Sequence, residues 1–237
     1  IKEHGMNHTF IQQDPNADTG TVSITLNGTE PEYEITKNVA WDKLQWNESL
    51  SDLANRCNAV CFGTLGQRAE PAKSTIQKFI QTATKANRLF DVNLRQNYFS
   101  KDTLDTCFQL SSIVKMNEEE LPIVSKILGL TKDKFPILQI IDHYSLDLFV
   151  LTQGKLGTRI YTNAMIVEGM PVQFIPEENA DSVGAGDACS AAILHGTTRK
   201  WPLQKTANLA NQLGAYVASR SGATPNLPPE ILSEWQT

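Results

Sequence analysis

Short apolar strands alternate with amphipathic helices along this chain, and that alternation constrains its fold more than any other feature. Continuous apolar runs of this length are typical of parallel strands that are buried on both faces. The helices between such strands then cover the two faces of one sheet. Four segments have the strand pattern: 59–63, 88–93, 112–116 and 147–152. We therefore predict an α/β sandwich, with a mostly parallel central sheet and helices on both faces.

Helical patterns fill the segments between these strands and follow them. The segment 157–175 reads as antiparallel strands. Near the N-terminus, Asn27-Gly28 is a turn signal between alternating segments, which predicts a hairpin. No repeat or linker divides the chain, so residues 1–237 are predicted to form one domain in which roughly 15–40 contribute to a small β lid. Helices are predicted at 48–56, 71–86, 102–109, 117–128, 133–143, after Gly186, and from Pro202 onward.

The composition argues against several classes of partner. The chain has 237 residues, a formal net charge of −5 and no apolar run near the roughly 20 residues of a membrane-spanning helix. A chain with this acidic balance is not predicted to bind nucleic acid or a membrane surface. No histidine lies near the one close cysteine pair, Cys57 and Cys61. This pattern favours free thiols in a reducing cytoplasm over a zinc site.

Residues Asp181 to Asp187 read as a glycine-rich loop that turns directly into a helix. Gly184 and Gly186 allow the main chain to approach a ligand, and a helix N-terminus presents unpaired N–H groups to an anion. Asp187 lies in the first turn, where a carboxylate is either a helix-dipole partner or a base beside a bound anion. Small and apolar residues continue the helix, and Gly196 is predicted to end it.

Two common phosphate-binding loops do not fit this stretch. A Rossmann fingerprint needs a third glycine at the position where Cys189 stands. A Walker A loop needs a Gly-Lys-Ser/Thr run, which the chain lacks. On these residues alone, an ordinary turn and an anion site both remain open.

Polar residues also follow the predicted strands, at the sheet edge where ligands of such folds collect. Asp91, Asn93 and Arg95 stand just past one strand. They form either a strand-end loop with a structural ion pair or an arginine site for a hydroxyl, carboxylate or phosphate.

The next two strand ends carry further candidates. Asn117 and Glu120 have the spacing of a helix capping box, and a carboxylate there can also hold Mg²⁺ through water. These two interpretations are compatible. Thr152, Gly154 and Gly157 are either the turn residues of a hairpin or a loop against which a nucleotide lies.

Taken together, in this order and spacing, these pieces resemble the ribokinase (PfkB-type) family of sugar kinases. The resemblance covers essentially the whole chain, and the Gly-Ala-Gly-Asp element at 184–187 is highly specific for the family. Segments 31–35 and 38–42 are most similar to the fructokinase branch. The residues that carry the resemblance are Asp91, Asn93 and Arg95; Lys115, Asn117 and Glu120; Thr152, Gly154 and Gly157; Asp181 and Gly184 to Asp187; and Gly222, Ala223, Thr224, Leu227 and Pro228.

The resemblance implies a role for each matching residue. Asp187 is expected to be the catalytic base and to contact the acceptor sugar. Gly184, Ala185 and Gly186 are expected to form the anion hole for the transferring phosphoryl group, and Arg95 to face the acceptor sugar or the γ-phosphate. The other implied contacts are with ATP and hydrated Mg²⁺: Asn117 and Glu120 at the phosphates and the metal, Thr152, Gly154 and Gly157 in the nucleotide loop, Gly184 and Gly186 at the phosphates, and Asn211 in the adenine pocket.

The resemblance also implies an activity and a departure from the family pattern. The expected function is ATP-dependent phosphorylation of a ketose, fructose first. The alternatives are 2-keto-3-deoxygluconate or another PfkB-type substrate, and a non-catalytic relative. Some members bind a monovalent cation such as K⁺ near the position of Asp181. Family members begin with further βα units that carry a sugar-binding element, and none precedes Ile1. The chain is therefore expected to lack N-terminal strands and to be weakly active alone, and a homodimer through the lid is an expected assembly.

Overall fold

The computed structural model describes residues 5–27, 30–130 and 136–236, and it has the predicted α/β architecture. An antiparallel hairpin comes first. Its strands, β1 (Val22–Asn27) and β2 (Glu30–Ile35), pair from Val22 opposite Ile35 to Asn27 opposite Glu30. The connection between them, where the Asn27-Gly28 turn is predicted, lies outside the described residues.

The remaining strands form one six-stranded sheet whose spatial order follows the chain. The first four are parallel to one another and the last two pairings are antiparallel, so the prediction of a mostly parallel sheet is confirmed. The strands are β3 (Ala59–Gly63), β4 (Asn87–Asp91), β5 (Ile113–Asn117), β6 (Leu148–Thr152), β7 (Thr158–Tyr161) and β8 (Ile166–Glu168).

Helices cover both faces of this sheet. On one face, Phe62, Phe90 and Phe149 pack against the helices α2 to α5. On the other, Ile113 and Val150 pack against α6 to α8. The helices are α1 (Glu48–Arg56), α2 (Ala72–Thr82), α3 (Lys101–Leu110), α4 (Glu120–Leu128), α5 (Pro136–Tyr144), α6 (Ala185–Thr198), α7 (Leu203–Val217) and α8 (Pro229–Gln236).

Most element boundaries lie within three residues of the predicted ones, but two regions differ. Helix α2 ends at Thr82 instead of near 86, because Ala83 leaves the helix and packs with Ala86 and Ala54 beneath α1. The antiparallel region stops at Glu168, and no helix or strand follows until α6. The start of the helix predicted at 133–143 falls partly outside the described residues.

The structure also bears on the cysteines and on the possibility of a membrane-spanning helix. All four cysteines are free, as expected. Among the described residues, no helix is both long enough and apolar enough to cross a membrane.

The prediction that Gly196 ends its helix is wrong. Helix α6 continues through Gly196 to Thr198, and Gly196 is buried. A Cβ built on Gly196 would lie 2.7 Å from Cγ2 and 2.9 Å from Cβ of Thr206, which is fully buried on α7. The glycine is there because α7 crosses α6 too closely for a side chain, a reason that helical periodicity does not reveal.

We expect Gly196→Ala to lower the free energy of unfolding by about 1–2 kcal/mol. Overpacking a core costs about 1–3 kcal/mol, and the better helix propensity of alanine offsets up to about 1 kcal/mol of that. Chemical denaturation measures the difference. The Gly196→Ala/Thr206→Ala double variant removes the Oγ1 and Cγ2 atoms of Thr206 and leaves only its Cβ close to the new methyl group, so its loss should be smaller than the sum of the single losses. Additive losses would contradict the packing explanation.

Candidate active site

The N-terminus of α6 is shaped by a close contact between two loops. Gly184 occupies the N-cap position with φ +82°, in the left-handed region. A Cβ built on it would lie 2.5 Å from the carbonyl oxygen of Ala223. Both the backbone angle and the contact therefore require glycine. The structure thus explains why position 184 is a glycine.

Asp181 holds these two loops together. Its Oδ2 accepts from the N–H of Gly222 at 3.0 Å, and its Oδ1 accepts from the N–H of Val183 at 2.9 Å. The Gly222 hydrogen bond, followed by that of Val183, lowers the pKa of Asp181. The carboxylate is therefore a fixed anion that connects the 220–224 loop to the start of α6.

The first turn of α6 is exposed at Gly186 and Asp187, whereas the N–H of Ala185 donates to the carbonyl oxygen of Ser182 at 3.2 Å. First-turn N–H groups have no preceding helical carbonyl to bond. Such a turn carries a partial positive charge. The arrangement offers backbone donors for an anion, and it offers a carboxylate one residue beyond them.

A cavity of about 870 Å³ opens beside this turn. It lies outside the carboxyl ends of β5 and β6, whose last residues, Asn117 and Thr152, are direct neighbours in the sheet. Seven of the predicted site residues line it: Asn117, Thr152, Gly154, Gly157, Ala185, Gly186 and Asn211. Four others, Gly184, Asp187, Arg95 and Glu120, do not line this cavity.

Asn211 lines the cavity and lies between two glycines, Gly157 and Gly169. A Cβ on Gly157 or on Gly169 would lie 2.6 Å from the Nδ2 atom of Asn211, so only glycine leaves room for the amide. Asn211 Nδ2 donates to the carbonyl oxygen of Met170 at 3.1 Å. Asn211 Oδ1 is buried and has no hydrogen-bond partner among the described residues. A buried acceptor without a partner is costly, so this site is suited to a ligand that donates.

Asn117 and Glu120 form the predicted capping box. Oδ1 of Asn117 accepts from the N–H of Glu119 at 2.9 Å and of Glu120 at 2.8 Å. In return, Oε2 of Glu120 accepts from the N–H of Asn117 at 2.9 Å, while its Oε1 accepts from the N–H of Leu94 at 2.8 Å. Glu120 is buried and connects the end of β5 to the loop after β4. A metal ion would therefore meet a carboxylate whose two oxygens already bind backbone N–H groups.

The loop after β4 has an irregular backbone and carries Arg95. Asn93 has φ +39° and Gln96 has φ +47°, both in the left-handed region. Arg95 is exposed, and its Nη1 donates to the carbonyl oxygen of Leu94 at 3.1 Å. The structural ion pair of this motif is made by Asp91, whose partner is Lys115 at 2.7 Å. Arg95 is thus an exposed side chain on the loop that Glu120 holds through the N–H of Leu94.

A buried ion pair fixes the base of the hairpin near that loop. Arg68 donates from Nε and Nη2 to the two carboxylate oxygens of Asp42, each at 2.8 Å, and both side chains are 3% exposed. The guanidinium lies between the rings of Trp41 and Tyr98, at 5.2 and 5.1 Å from their centroids. Nη2 of Arg68 also donates to the carbonyl oxygen of Thr36, the residue after β2. Tyr98 belongs to the loop that carries Arg95, so the hairpin base and this loop are held by one arginine.

The sequence interpretation missed two features of this region. Gly169 gave no signal beyond a glycine after a short strand, since its partner Asn211 is 42 positions away. The Lys115–Asp91 pair had a visible signal, because Lys115 interrupts an otherwise apolar run and Asp91 directly follows Leu89 and Phe90. What the sequence did not reveal is that the two residues are adjacent in register.

Comparison with known proteins agrees with this geometry. The profile described as pfkB family carbohydrate kinase matches residues 1–230. An uncharacterized sugar kinase of Pyrococcus horikoshii is 27% identical over 90% of this chain and 67% of its own length. Its crystal structure has a TM-score of 0.75 over 94% of this chain and 73% of that one. Fructokinase-1 of Oryza sativa is 25% identical over 98% of this chain and 75% of the relative.

One structural neighbour is more distant in sequence. Aminoimidazole riboside kinase from Salmonella enterica has a TM-score of 0.77 over 99% of this chain and 79% of its own, at 19% identity. That likeness supports the ribokinase-like fold alone. The family profile, in contrast, covers all but the last seven residues of the chain, including the glycine-rich start of α6 and the strand ends around it. The chain therefore belongs to the pfkB family of carbohydrate kinases, which are phosphotransferases that act on a sugar hydroxyl.

Proposed function

We propose that this sugar kinase uses ATP to phosphorylate a ketose, with fructose as the first acceptor to test. The observation that carries the proposal is the cavity at the start of α6, whose lining includes the first-turn residues Ala185 and Gly186 and also Asn211, with its partnerless acceptor. Solved relatives support this choice. The Pyrococcus horikoshii kinase has been crystallised with ATP, and a fructokinase of Vibrio cholerae with fructose and ADP.

In the proposed reaction, Asp187 is the general base. Its carboxylate accepts the proton of the acceptor hydroxyl as that oxygen bonds to the γ-phosphorus, and the bond from that phosphorus to the bridging oxygen of ADP breaks. The amides of Gly184, Ala185 and Gly186 then face the charge that develops on the transferring phosphoryl group. Fixed donors and positioning are what phosphoryl transfer requires of a protein.

The remaining predicted residues hold the substrates in this proposal. Thr152, Gly154 and Gly157 border the nucleotide, and Arg95 reaches the acceptor or the γ-phosphate. Asn117 and Glu120 would hold hydrated Mg²⁺ through water, which fits a carboxylate that already accepts two N–H groups. When bound, Mg²⁺ supplies charge neutralisation at the phosphates. K⁺ dependence and a homodimer through the hairpin stay predictions.

A screen for ADP release by the full-length gene product tests the proposal, with ketoses, keto-acids and nucleosides as acceptors. We expect fructose to give the highest kcat/KM. Preference for 2-keto-3-deoxygluconate would keep the reaction and change the substrate. Absence of acceptor-dependent ADP release across the panel would instead support a non-catalytic relative.

Asn211 should make the enzyme prefer ATP to GTP. The 6-amino group of adenine can donate to Oδ1, whereas the 6-oxo group of guanine would face it acceptor to acceptor. Reversal of the amide would place Oδ1 against the carbonyl of Met170, so the orientation is fixed. We expect Asn211→Ala to lower kcat/KM for ATP about 10-fold, as for the loss of one buried hydrogen bond, and to reduce the ATP/GTP ratio.

The control for this substitution is Gln212→Ala, which removes an amide from the next residue of α7. The Gln212 side chain donates to Glu234 at 3.2 Å, away from the cavity. Steady-state kinetics with both nucleotides compare the two variants. An ATP/GTP ratio that is unchanged in the Asn211 variant would show that the base does not contact this amide.

A further inference from the structure

A buried polar chain lies between the sheet and the first turn of α6. Asp91 on β4 and Lys115 on β5 are neighbours in register, and Lys115 Nζ lies 2.7 Å from Asp91 Oδ2. Their exposures are 9% and 5%. Ser190, also buried on α6, donates from Oγ to the same carboxylate oxygen at 2.8 Å. Two strands and the helix are therefore joined at one carboxylate.

This chain reaches the backbone that is proposed to bind the phosphoryl group. Oγ of Ser190 is also 3.1 Å from the carbonyl oxygen of Gly186, one turn earlier in α6. A Cβ built on Gly186 would lie 3.7 Å from Nζ of Lys115. The ammonium therefore lies directly beneath the first turn, on the side where Gly186 has no side chain.

The charge of Lys115 is maintained in this place. Burial lowers the pKa of Lys115, but the Asp91 carboxylate, together with Cys189 and Cys61, more than offsets it, and the pKa lies above its ordinary value. The lysine is thus an ammonium at neutral pH.

A cation at this end of a helix is electrostatically unfavourable by itself. The N-terminus of a helix carries a partial positive charge, so anions are stabilising there and cations are not. A buried ion pair also costs desolvation energy, and apolar residues of similar volume are often as stable or more so. Fold stability is therefore a poor reason for a lysine here. The need to bind a multiply charged anion at this site explains the lysine better.

We propose that Lys115 is a positioning residue for phosphoryl transfer: its ammonium, held by Asp91, adds positive potential behind the anion hole. Ser190 joins the same ion pair to the carbonyl oxygen of Gly186 and so helps to hold the first turn of α6 in place. This inference rests on the proposed function of the α6 N-terminus. It assigns Lys115 no direct contact with the substrate. Its effect should appear when charge develops on the phosphoryl group, and so in kcat more than in KM.

The test compares Lys115→Met/Asp91→Asn with the unmodified enzyme, both as full-length gene product. The double variant removes both charges and leaves no unpaired buried ion, whereas Lys115→Met alone would leave one. We expect kcat to fall about 10- to 100-fold, less than the ~100- to 1,000-fold lost with a direct oxyanion donor, and KM for the sugar to change less than about threefold. The double variant leaves the net charge unchanged, so its matched control is Lys126→Met/Asp142→Asn, which removes one exposed charge of each sign from α4 and α5.

A binding measurement separates this role from a merely structural one. Calorimetry compares the affinity for ADP with that for ADP plus aluminium fluoride, a mimic of the transferring group, in the presence of fructose. We expect the double variant to keep its ADP affinity and to lose about 10-fold or more of the gain that aluminium fluoride gives. A retained gain, or a kcat within twofold of the unmodified enzyme, would overturn the proposal. If the unmodified enzyme shows no sugar-dependent turnover, the proposed function fails instead.

Ser190→Ala decides the matter if the double variant does not fold. It leaves the Lys115–Asp91 ion pair in place and removes the hydroxyl that joins Asp91 to the carbonyl oxygen of Gly186. We expect a fall in kcat of about 3- to 10-fold with little change in KM, since one buried hydrogen bond is lost. An unchanged kcat in this variant would show that the buried chain does not support the anion hole.

Discussion

Asp187→Asn is expected to reduce kcat for sugar phosphorylation about 1,000-fold, while the ATP affinity stays within about threefold of the unmodified value. The amide has nearly the shape of the carboxylate but cannot accept the hydroxyl proton. Asp187 is exposed at the first turn of α6 and does not line the cavity proposed for the nucleotide, so nucleotide binding should be retained. A coupled ADP-release assay gives kcat, and calorimetry gives the ATP affinity.

The matched control is Glu119→Gln, which also replaces an exposed carboxylate by its amide at the edge of the site. Glu119 contributes its N–H to Asn117, a contact that the substitution keeps. We expect its kcat to remain within about twofold, since surface substitutions away from specific contacts have small effects. Turnover near the unmodified rate in Asp187→Asn would remove Asp187 from the role of base, whatever the control shows.

The fold was largely predictable because its elements follow from local patterns. Apolar runs of five or six residues indicated β3 to β6, and the amphipathic segments between them indicated the helices. The order of the strands in the sheet also follows the chain, which is the simplest arrangement. What periodicity did not predict depends on distant partners. Gly196 is a helix-crossing residue because of Thr206, and Ala83 leaves α2 because it packs beneath α1.

The candidate site likewise combines local motifs, which the sequence predicted, with contacts between distant segments, which it did not. The motifs after β5, after β6 and before α6 are local, and the residue types alone indicated phosphate, nucleotide and capping chemistry. Contacts between motifs were not visible in the sequence. Asp181 with Gly222, Glu120 with Leu94, and Lys115 with Asp91 are each set by how distant segments meet. These links are what hold the local motifs in one geometry, and they are the part that only the structure supplies.

Gly184 is the position where a single methyl group should cause the greatest loss. An alanine there would have φ +82°, and its Cβ would lie 2.5 Å from the carbonyl oxygen and 2.8 Å from Cα of Ala223. Backbone atoms cannot move aside as a flexible side chain does. The first turn of α6 must therefore shift away from the 220–224 loop. We expect Gly184→Ala to reduce kcat at least about 100-fold, the loss associated with one misplaced oxyanion donor.

Gly129→Ala separates the effect of the backbone angle from that of the contact. Gly129 ends α4 with φ +78°, nearly the angle of Gly184, and a Cβ there would meet no atom within 4 Å. Left-handed backbone costs alanine about 1–2 kcal/mol, so both variants should lose that much stability by chemical denaturation. Only Gly184→Ala should lose more, and only it should lose kcat. If the two variants were equally stable and equally active, the contact with Ala223 would not position the first turn of α6. The anion hole would then depend on the glycine angle and the helix dipole alone.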